Sequence, residues 1–314
     1  RHFKVLVLQF IQMIGFKVLV TAGLLLIGGA LVLNQEMNIG QFVAAEIIII
    51  LVISSVEKLI LGLESFYDVL TSLEKLGQVV DKELEPQKGD VISSETPFNL
   101  SLSNVFYSVP DRDTPILSSI NLEISNQCRI LVRGESGSGK SSLLRLMAGI
   151  IDPTSGRIIV NDASLSSLHL NSYRALLGLS LSEETTFEGT IRENVSFNNP
   201  NITDQRIREV FNEIGLKEFL KEQPAGLDTF LKPEGKQIAY TAAKKIILAR
   251  AILKSPKLLI LEDPLDQFST EEATKIINFI TDPKHHWSLI VVSANKQWEY
   301  SCSTKITLDN GKIQ

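Results

Sequence analysis

The sequence predicts an α/β domain preceded by an all-α hairpin of two membrane-spanning helices. Two observations predict this arrangement. The first is a glycine-rich pattern at residues 134–142, which lies between an apolar strand pattern and a helical pattern. The second is a pair of long apolar runs near the N-terminus, each long enough to cross a bilayer. At 314 residues the chain has room for both parts.

The glycine-rich pattern predicts a phosphate-binding P-loop and therefore an α/β fold of the P-loop NTPase class. Gly134, Gly139, Lys140 and Ser141 meet the pattern G-x-x-x-x-G-K-[ST]. The glycines let backbone N–H groups approach phosphate oxygens, the lysine reaches the outer phosphates, and the serine hydroxyl is a ligand for Mg²⁺. The loop lies where a helix N-terminus points at an anion. The expected nucleotide-binding residues are Gly134, Glu135, Ser136, Gly137, Ser138, Gly139, Lys140, Ser141 and Ser142.

The N-terminal region predicts two membrane helices joined by a polar turn. Residues 15–33 and 42–63 are the apolar runs, and residues 34–41 separate them. Arg1, Lys4 and Lys17 precede the uncharged stretch at 18–33, and Lys58 and Lys75 follow the apolar core of the second run, which places both ends of the pair on the cytoplasmic side. Glu46 lies about one helical turn from the polar residues, which places it at the membrane interface. A buried helix pair of a globular protein is the alternative, whereas a second apolar run disfavours a cleaved signal peptide.

Beyond residue 63 the pattern stays helical but becomes polar, and it ends near residues 81–89. We therefore divide the chain into a membrane part at residues 1–85, a linker at 86–97 and an α/β domain at 98–314. Because the chain begins beside a membrane span, we expect it to be part of a longer protein.

Charge, cysteine and histidine use argue against several other classes. The net charge is −5 with no block of like charges, which does not favour nucleic-acid binding. The two cysteines do not form a disulfide framework, and this fits a reducing cytosol. The four histidines do not have the spacing of metal ligands.

Several stretches resemble, in the expected order, the ATP-binding domain of an exporter-type ABC transporter. Residues 110–117 look like the loop before the second strand of that domain. Further matching stretches are D-P-x-x-G at 152–156, G-T-I-x-E-N-V at 189–195, L-A-R-A at 248–251, and a Walker B-like strand ending in Glu262, Asp263 and Pro264. The resemblance covers residues 98–314, and residues 1–85 as the last two of the six membrane helices of such a half-transporter.

The resemblance implies that two such domains face each other and enclose two ATP molecules. Each ATP is then held with Mg²⁺ by the P-loop and Walker B of one domain and the signature loop of the other. The implied partners are the lipid membrane, a second half-transporter subunit that is identical or different, and a transported substrate that these residues do not specify. The ATP-binding domain is expected on the cytoplasmic side.

The residues that hydrolyse ATP in this family are altered in this chain. The Walker B pair is Glu262-Asp263 instead of Asp-Glu, so Glu262 takes the metal position and Asp263 takes the water-activating position with a side chain one methylene shorter. Ser182 stands at the Q-loop glutamine and Ala294 at the switch histidine. The signature L-S-G-G-Q corresponds to I-A-Y-T-A at residues 238–242, where Tyr240 and Thr241 carry Cβ atoms instead of glycine.

Two further positions differ from the family pattern. Ser269 replaces the D-loop aspartate, and we expect it to begin a helix in a capping box with Glu272. Val109 stands at the adenine-stacking aromatic position. Tyr107, two residues earlier on the same predicted strand face, is the candidate substitute.

These residues predict an ATP-binding subunit of a membrane ABC exporter that binds MgATP with weak or no hydrolysis. Two alternatives stay open. One is a regulatory or structural ABC-like membrane subunit that uses ATP as a dimerisation ligand without transport. The other is an active ATPase transporter with unusual catalytic residues.

Overall fold

The structure is a computed structural model that describes residues 2–85, 88–93, 95–110 and 112–314. The chain divides into two compact units, Arg1–Glu85 and Pro86–Gln314. Arg1, the predicted linker residues Pro86, Gln87 and Ser94, and Asp111 of the predicted loop at 110–117 lie outside the described residues.

The first unit is a helical hairpin whose turn is capped at Asn38. Helix α1 spans His2–Leu33 and helix α2 spans Ile39–Val80. The Asn38 Oδ1 accepts a hydrogen bond from the Gln41 backbone N–H at 2.8 Å, and the Gln41 side chain accepts from the Asn38 N–H at 3.0 Å. This reciprocal cap satisfies two backbone donors at the start of α2 and fixes the turn that the polar residues predict.

The hairpin exposes its apolar side chains and has the length of a membrane element. Phe10–Leu33 and Ile39–Val80 are long and apolar enough to cross a bilayer, and most of their side chains are exposed in this unit. Gly28 permits close approach of the helices, because a Cβ there would lie 2.4 Å from the Phe42 ring. Lys17 and Glu57 form an ion pair at 3.0 Å between α1 and α2. Helix α2 ends at Val80 with Asp81 as its C-cap, where the sequence predicts a stop.

The second unit contains strands and helices in α/β alternation after two initial strands. Its strands are β1 (Leu100–Tyr107), β2 (Leu117–Ile124), β3 (Arg129–Arg133), β4 (Ser155–Val160), β5 (Ala163–Ser164), β6 (Leu177–Ser180), β7 (Gly189–Thr190), β8 (Phe230–Leu231), β9 (Leu258–Glu262), β10 (Ser288–Val292), β11 (Thr304–Asp309) and β12 (Lys312–Ile313). Its helices are α3 (Lys140–Met147), α4 (Leu170–Ala175), α5 (Ile191–Ser196), α6 (Asp204–Glu213), α7 (Lys217–Glu222), α8 (Tyr240–Leu253), α9 (Thr270–Ile280) and α10 (Trp298–Ser301).

The strands form two main sheets. The larger has the order β12-β11-β3-β10-β9-β6, with parallel neighbours from β11 to β6. The smaller is an antiparallel sheet with the order β2-β1-β4-β5. Every residue of β9 and β10 is buried, as is typical of parallel strands covered on both faces.

The core consists of two clusters on opposite faces of the larger sheet. Successive residues of one strand point to opposite faces, so Leu259 and Leu261 join one cluster while Leu258 and Ile260 join the other. The first cluster packs under α6, α8 and α9, and the second packs under α3 and the smaller sheet. The parallel sheet therefore lies between two packed layers. The P-loop follows the C-terminal end of β3. The predicted α/β fold and N-terminal helical hairpin are confirmed.

Part of the predicted linker is attached to the second unit. The Asp90 N–H donates to the Ser167 carbonyl and the His169 N–H donates to the Asp90 carbonyl, both at 2.9 Å. A Cβ on Gly89, whose φ is +125°, would lie 2.5 Å from the Leu168 carbonyl carbon. The chain is thus ordered by backbone contacts some eight residues before the predicted domain start at 98.

Candidate nucleotide-binding site

The P-loop connects β3 to α3 in a conformation that leaves backbone donors open. Gly139, the residue before α3, has a left-handed φ of +101° and no side-chain hydrogen bond caps the helix. The Lys140 amine donates to the carbonyls of Gly134 at 2.8 Å and Glu135 at 2.6 Å. The first backbone N–H groups of α3 and the Lys140 amine therefore lie close together at the P-loop. Such a set of donors binds phosphate.

Two glycines of the loop have no room for a side chain. A Cβ on Gly134 would lie 2.1 Å from the Leu308 carbonyl oxygen, and one on Gly139 would lie 2.8 Å from Leu117 Cδ2. Both φ values are in the region that favours glycine. The Ser138 hydroxyl is buried and has no hydrogen-bond partner among the described residues. A glycine cradle with an unpartnered buried hydroxyl fits a nucleotide phosphate group.

Glu262 lies beside the P-loop at the end of β9, and both of its carboxylate oxygens are engaged. Oε1 accepts a hydrogen bond from the Ser141 hydroxyl. Oε2 accepts from the Ser182 hydroxyl at 3.0 Å and from the Ser182 N–H at 3.2 Å. Glu262 is 6% exposed, and these donors compensate the buried charge. Hydroxyl and carboxylate oxygens are ligands that Mg²⁺ prefers, so this set fits the predicted cation position.

The segment that follows β6 contacts α8 and α3 in addition to Glu262 of β9. The Lys244 amine of α8 donates to the Ser182 carbonyl at 3.3 Å. Arg145 of α3 forms an ion pair with Glu183. Arg250 of α8 lies 3.8 Å from the Glu184 carboxylate. The segment at residues 182–184 therefore connects the P-loop helix, the Walker B strand and α8.

Burial and charge shift the pKa values around this segment in opposite directions. Hydrogen bonding to Glu183 raises the pKa of Arg145. Burial raises the pKa of Glu184 and lowers that of Arg250, while their mutual attraction opposes both shifts. Arg250 is also held by the Asn194 carbonyl at 2.7 Å and lies over the Phe187 and Phe197 rings. The side chains of Arg145, Glu183, Glu184 and Arg250 were not expected at the site from the sequence.

Asp263 follows β9 with a left-handed φ of +41°. Its N–H donates to the Val292 carbonyl at 2.9 Å. Burial and the nearby Glu262 raise its pKa, and the Ala294 backbone near its carboxylate lowers its pKa in part. Ala294 has no polar side chain, so only its backbone can interact with the Asp263 carboxylate.

The altered signature loop leads into α8 without a side-chain cap. Ala239 precedes the helix in an extended conformation with φ −60° and ψ 142°. The Tyr240 hydroxyl donates to the Asp266 carboxylate at 2.9 Å, and the Lys244 amine lies 5.7 Å from the Tyr240 ring centroid. Burial and the bond to Asp266 raise the pKa of Tyr240 to about 12. Tyr240 thus ties the start of α8 to the turn after β9 within the chain.

The predicted capping box at Ser269 forms only in part. The Ser269 hydroxyl accepts from the Glu272 N–H at 3.3 Å and begins α9, as expected. The Glu272 carboxylate forms an ion pair with the Lys245 amine of α8. This buried amine also donates to the Gly215 carbonyl at 2.9 Å. The expectation of a reciprocal box was wrong because the buried Lys245 amine takes the carboxylate.

The argument that placed Tyr107 on the face of Val109 does not hold. Strand β1 ends at Tyr107, and Val109 lies beyond it. Tyr107 is half-buried at the strand end and packs against the second core cluster. Its adenine role stays a prediction. Among the described residues, no group of three or more histidine, cysteine, aspartate or glutamate side chains is placed to hold a metal ion.

Comparison with known proteins identifies similar chains. The ABC transporter family model matches residues 117–266. The chain is 27% identical to the alpha-hemolysin translocation ATP-binding protein HlyB of Escherichia coli O157:H7, over 97% of this chain and 43% of that protein. It is 25% identical to the leukotoxin export ATP-binding protein LtxB of Aggregatibacter actinomycetemcomitans, over 99% of this chain and 44% of that protein. The chain thus spans less than half the length of these curated relatives.

A solved structure shares the fold. It is described as a bacterial Atm1-family ABC exporter with ATP bound, and it superposes with a TM-score of 0.75 at 20% identity. The superposition covers 98% of this chain and 55% of the other. At this identity the likeness shows the fold alone.

Proposed function

Because this chain belongs to the ABC transporter family, we propose that it is the ATP-binding part of a membrane exporter that holds MgATP in its P-loop and hydrolyses it weakly or not at all. The observation that carries the proposal is the contrast between a complete phosphate cradle and altered catalytic positions around it. The proposal includes a second half-transporter subunit as partner and a cytoplasmic position of the ATP-binding domain.

The residues that would hold the nucleotide are those of the cradle. The open N–H groups of α3 and the Lys140 amine would bind phosphate oxygens, and Ser141 and Glu262 would hold Mg²⁺. Bound MgATP supplies a phosphoanhydride bond whose hydrolysis releases free energy. The backbone N–H groups and the Lys140 amine of the cradle are not at altered positions, so phosphate binding is expected to survive the changes, whereas the cation contact depends on Glu262.

The residues at the altered positions are poorly arranged to activate water. A general base needs hydrogen-bond reach to the water it deprotonates, and a misplacement of about 1 Å costs on the order of 10²-fold in rate. Asp263 is one methylene shorter than the family glutamate. Ala294 has no side chain to contact the outer phosphate. The Ser182 hydroxyl is directed to Glu262 instead of to a water.

A non-transporting role has one observation in its favour. The Tyr240–Asp266 bond ties the start of α8 to the turn after β9 within one chain. An ATP-dependent dimerisation subunit needs binding but no turnover, so this reading stays the second candidate. ATP-dependent self-association of the protein, together with an absence of transport in vesicles, would favour this second candidate over the exporter.

The test is nucleotide binding and ATP turnover by the full-length protein in lipid nanodiscs, alone and with any ABC subunit that co-purifies. We expect MgATP binding at millimolar nucleotide or below, and turnover that a Lys140→Ala variant does not lower further. Turnover at ordinary transporter rates that is lost in Lys140→Ala contradicts weak hydrolysis. Absence of binding at millimolar MgATP contradicts the whole proposal.

A further inference from the structure

The Glu262 carboxylate is held by two serines that come from different elements. Ser141 lies at the start of α3, and Ser182 lies two residues beyond β6. Strands β6 and β9 are parallel neighbours, with Ser180 opposite Leu261. Adjacent strands lie about 4.8 Å apart, so the sheet itself brings residues 182 and 262 together.

At a separation set by the sheet, the combined length of the two side chains decides whether they meet. Glu262 is one methylene longer than the aspartate of the family pattern, and Ser182 is two heavy atoms shorter than the glutamine. The two changes have opposite signs, so they offset each other in part along the line between the residues. The observed result is direct contact, at 3.0 Å between the Ser182 hydroxyl and Glu262 Oε2.

The backbone of Ser182 is held on several sides. Its N–H donates to Glu262 at 3.2 Å and its carbonyl accepts from the Lys244 amine at 3.3 Å. The next residue, Glu183, is paired with Arg145 of the P-loop helix. These contacts fix the orientation of the Ser182 hydroxyl, and of the Glu262 carboxylate that it contacts, before any ligand binds.

We propose that Ser182 and Glu262 are a length-matched pair in which Ser182 orients the Glu262 carboxylate toward the cation of the bound nucleotide. Ser182 is a positioning residue, and Glu262 with Ser141 supplies the oxygen atoms. The two departures from the family pattern are then a compensated exchange, so the cation position is preserved while the catalytic positions are lost. This inference rests on the proposed binding of MgATP.

The first test measures how a fluorescent ATP analogue binds to the full chain in nanodiscs as Mg²⁺ is varied. Ser182→Ala should raise the Mg²⁺ concentration for half-maximal binding about five- to tenfold, because one donor to a buried carboxylate is lost. Ser182→Thr keeps a hydroxyl and should stay within about twofold of the parent. Binding in excess EDTA should be the same in all variants.

A matched control removes a buried serine hydroxyl elsewhere. Ser196 is 6% exposed and its hydroxyl donates to the Arg192 carbonyl at 2.8 Å. Ser196→Ala should leave the Mg²⁺ dependence unchanged. Equal loss in Ser196→Ala and Ser182→Ala, or equal loss with and without Mg²⁺, would mean a general packing effect and would overturn the proposal.

The second test exchanges the two lengths. Glu262→Asp and Ser182→Gln should each raise the required Mg²⁺ about tenfold, and the double variant should return to within about threefold of the parent. Thermal unfolding without nucleotide should show the same recovery, which keeps the test readable if one single variant is unstable. If the effects of the single variants multiply in the double variant, the residues are not a matched pair.

The outcomes separate the two proposals. If the parent binds no MgATP, the proposed function fails, and this inference fails with it because the pair has no cation to position. Suppose instead that the parent binds MgATP, that Lys140→Ala abolishes this binding, and that the double variant shows no recovery. In that case only the matched pair is rejected.

Discussion

Helices α3 and α8 of the second unit both begin without a side-chain cap, and they differ in the groups that surround that end. Helix α3 follows Gly139, and the Lys140 amine and the unpartnered Ser138 hydroxyl surround its first turn. Helix α8 follows Ala239, and its first residue, Tyr240, is bonded to Asp266. Both ends leave backbone N–H groups without an intrahelical partner.

The comparison shows that a free helix N-terminus does not by itself make a phosphate site. The start of α3 combines backbone donors with a nearby positive charge and glycines that keep Cβ atoms away. The start of α8 has the side chains of Tyr240 and Thr241, and the Asp266 carboxylate beside it would repel phosphate. Each region can be changed separately, which gives four predictions in order of expected effect.

The largest effect is expected for Gly134→Ala. The added Cβ would lie 2.1 Å from the Leu308 carbonyl oxygen, so loop or strand must move. We expect a loss of about 2–4 kcal/mol in stability and of most MgATP affinity. Gly137→Ala is the control, because its Cβ meets nothing within 4 Å and only the φ of +81° is unfavourable, at about 1 kcal/mol. Thermal unfolding without nucleotide measures both; equal losses would show that contact with Leu308 is not the reason.

Giving α8 a side-chain cap should stabilise the domain. Ala239 has the extended conformation of a capping residue, so Ala239→Ser should add about 1 kcal/mol, or about 2–4 °C in the unfolding midpoint. Ala243→Ser places the same change inside α8, where a small loss is expected. No gain at residue 239 would mean that the first N–H groups of α8 are already satisfied.

Removing the tether at α8 should affect stability slightly and binding not at all. Tyr240→Phe removes the hydrogen bond to Asp266, which is exposed, so we expect a loss of about 0.5 kcal/mol. Tyr300→Phe is the control, since Tyr300 is 92% exposed. A fall in MgATP affinity in Tyr240→Phe would show that the two regions are coupled within one chain.

The smallest effect concerns pH. Because burial and Glu262 raise the pKa of Asp263 in the folded state, its contribution to stability is full below the ordinary carboxyl pKa and is lost as pH rises through the folded value. Asp263→Asn lacks this loss, so its unfolding midpoint should exceed the parent's by up to about 2 °C at pH 7 and by less near pH 4. The exposed Asp152→Asn should show no such trend. A difference that grows toward acid contradicts the assigned cause.

Local patterns predicted much of the fold. The buried runs at β3 and β9 and the helical hairpin follow from hydrophobic spacing along adjacent residues. The capping box of Asn38 and Gln41 was missed, although its spacing is visible in the sequence. The box at Ser269 was predicted and formed only in part, since Lys245 lies 27 residues from Glu272 and its position depends on helix packing.

By itself, the sequence determined that this protein has a phosphate cradle and two membrane-length helices. Both are properties of contiguous residues, since the P-loop is defined by backbone geometry and a membrane helix by its length and apolarity. Only the tertiary structure decided what surrounds the cradle. Glu262 meets Ser141 across 121 residues and Ser182 across 80, because parallel strand pairing places β6 beside β9. The contact between Ser182 and Glu262 is not visible in the sequence, because it depends on the distance that the sheet sets between their strands.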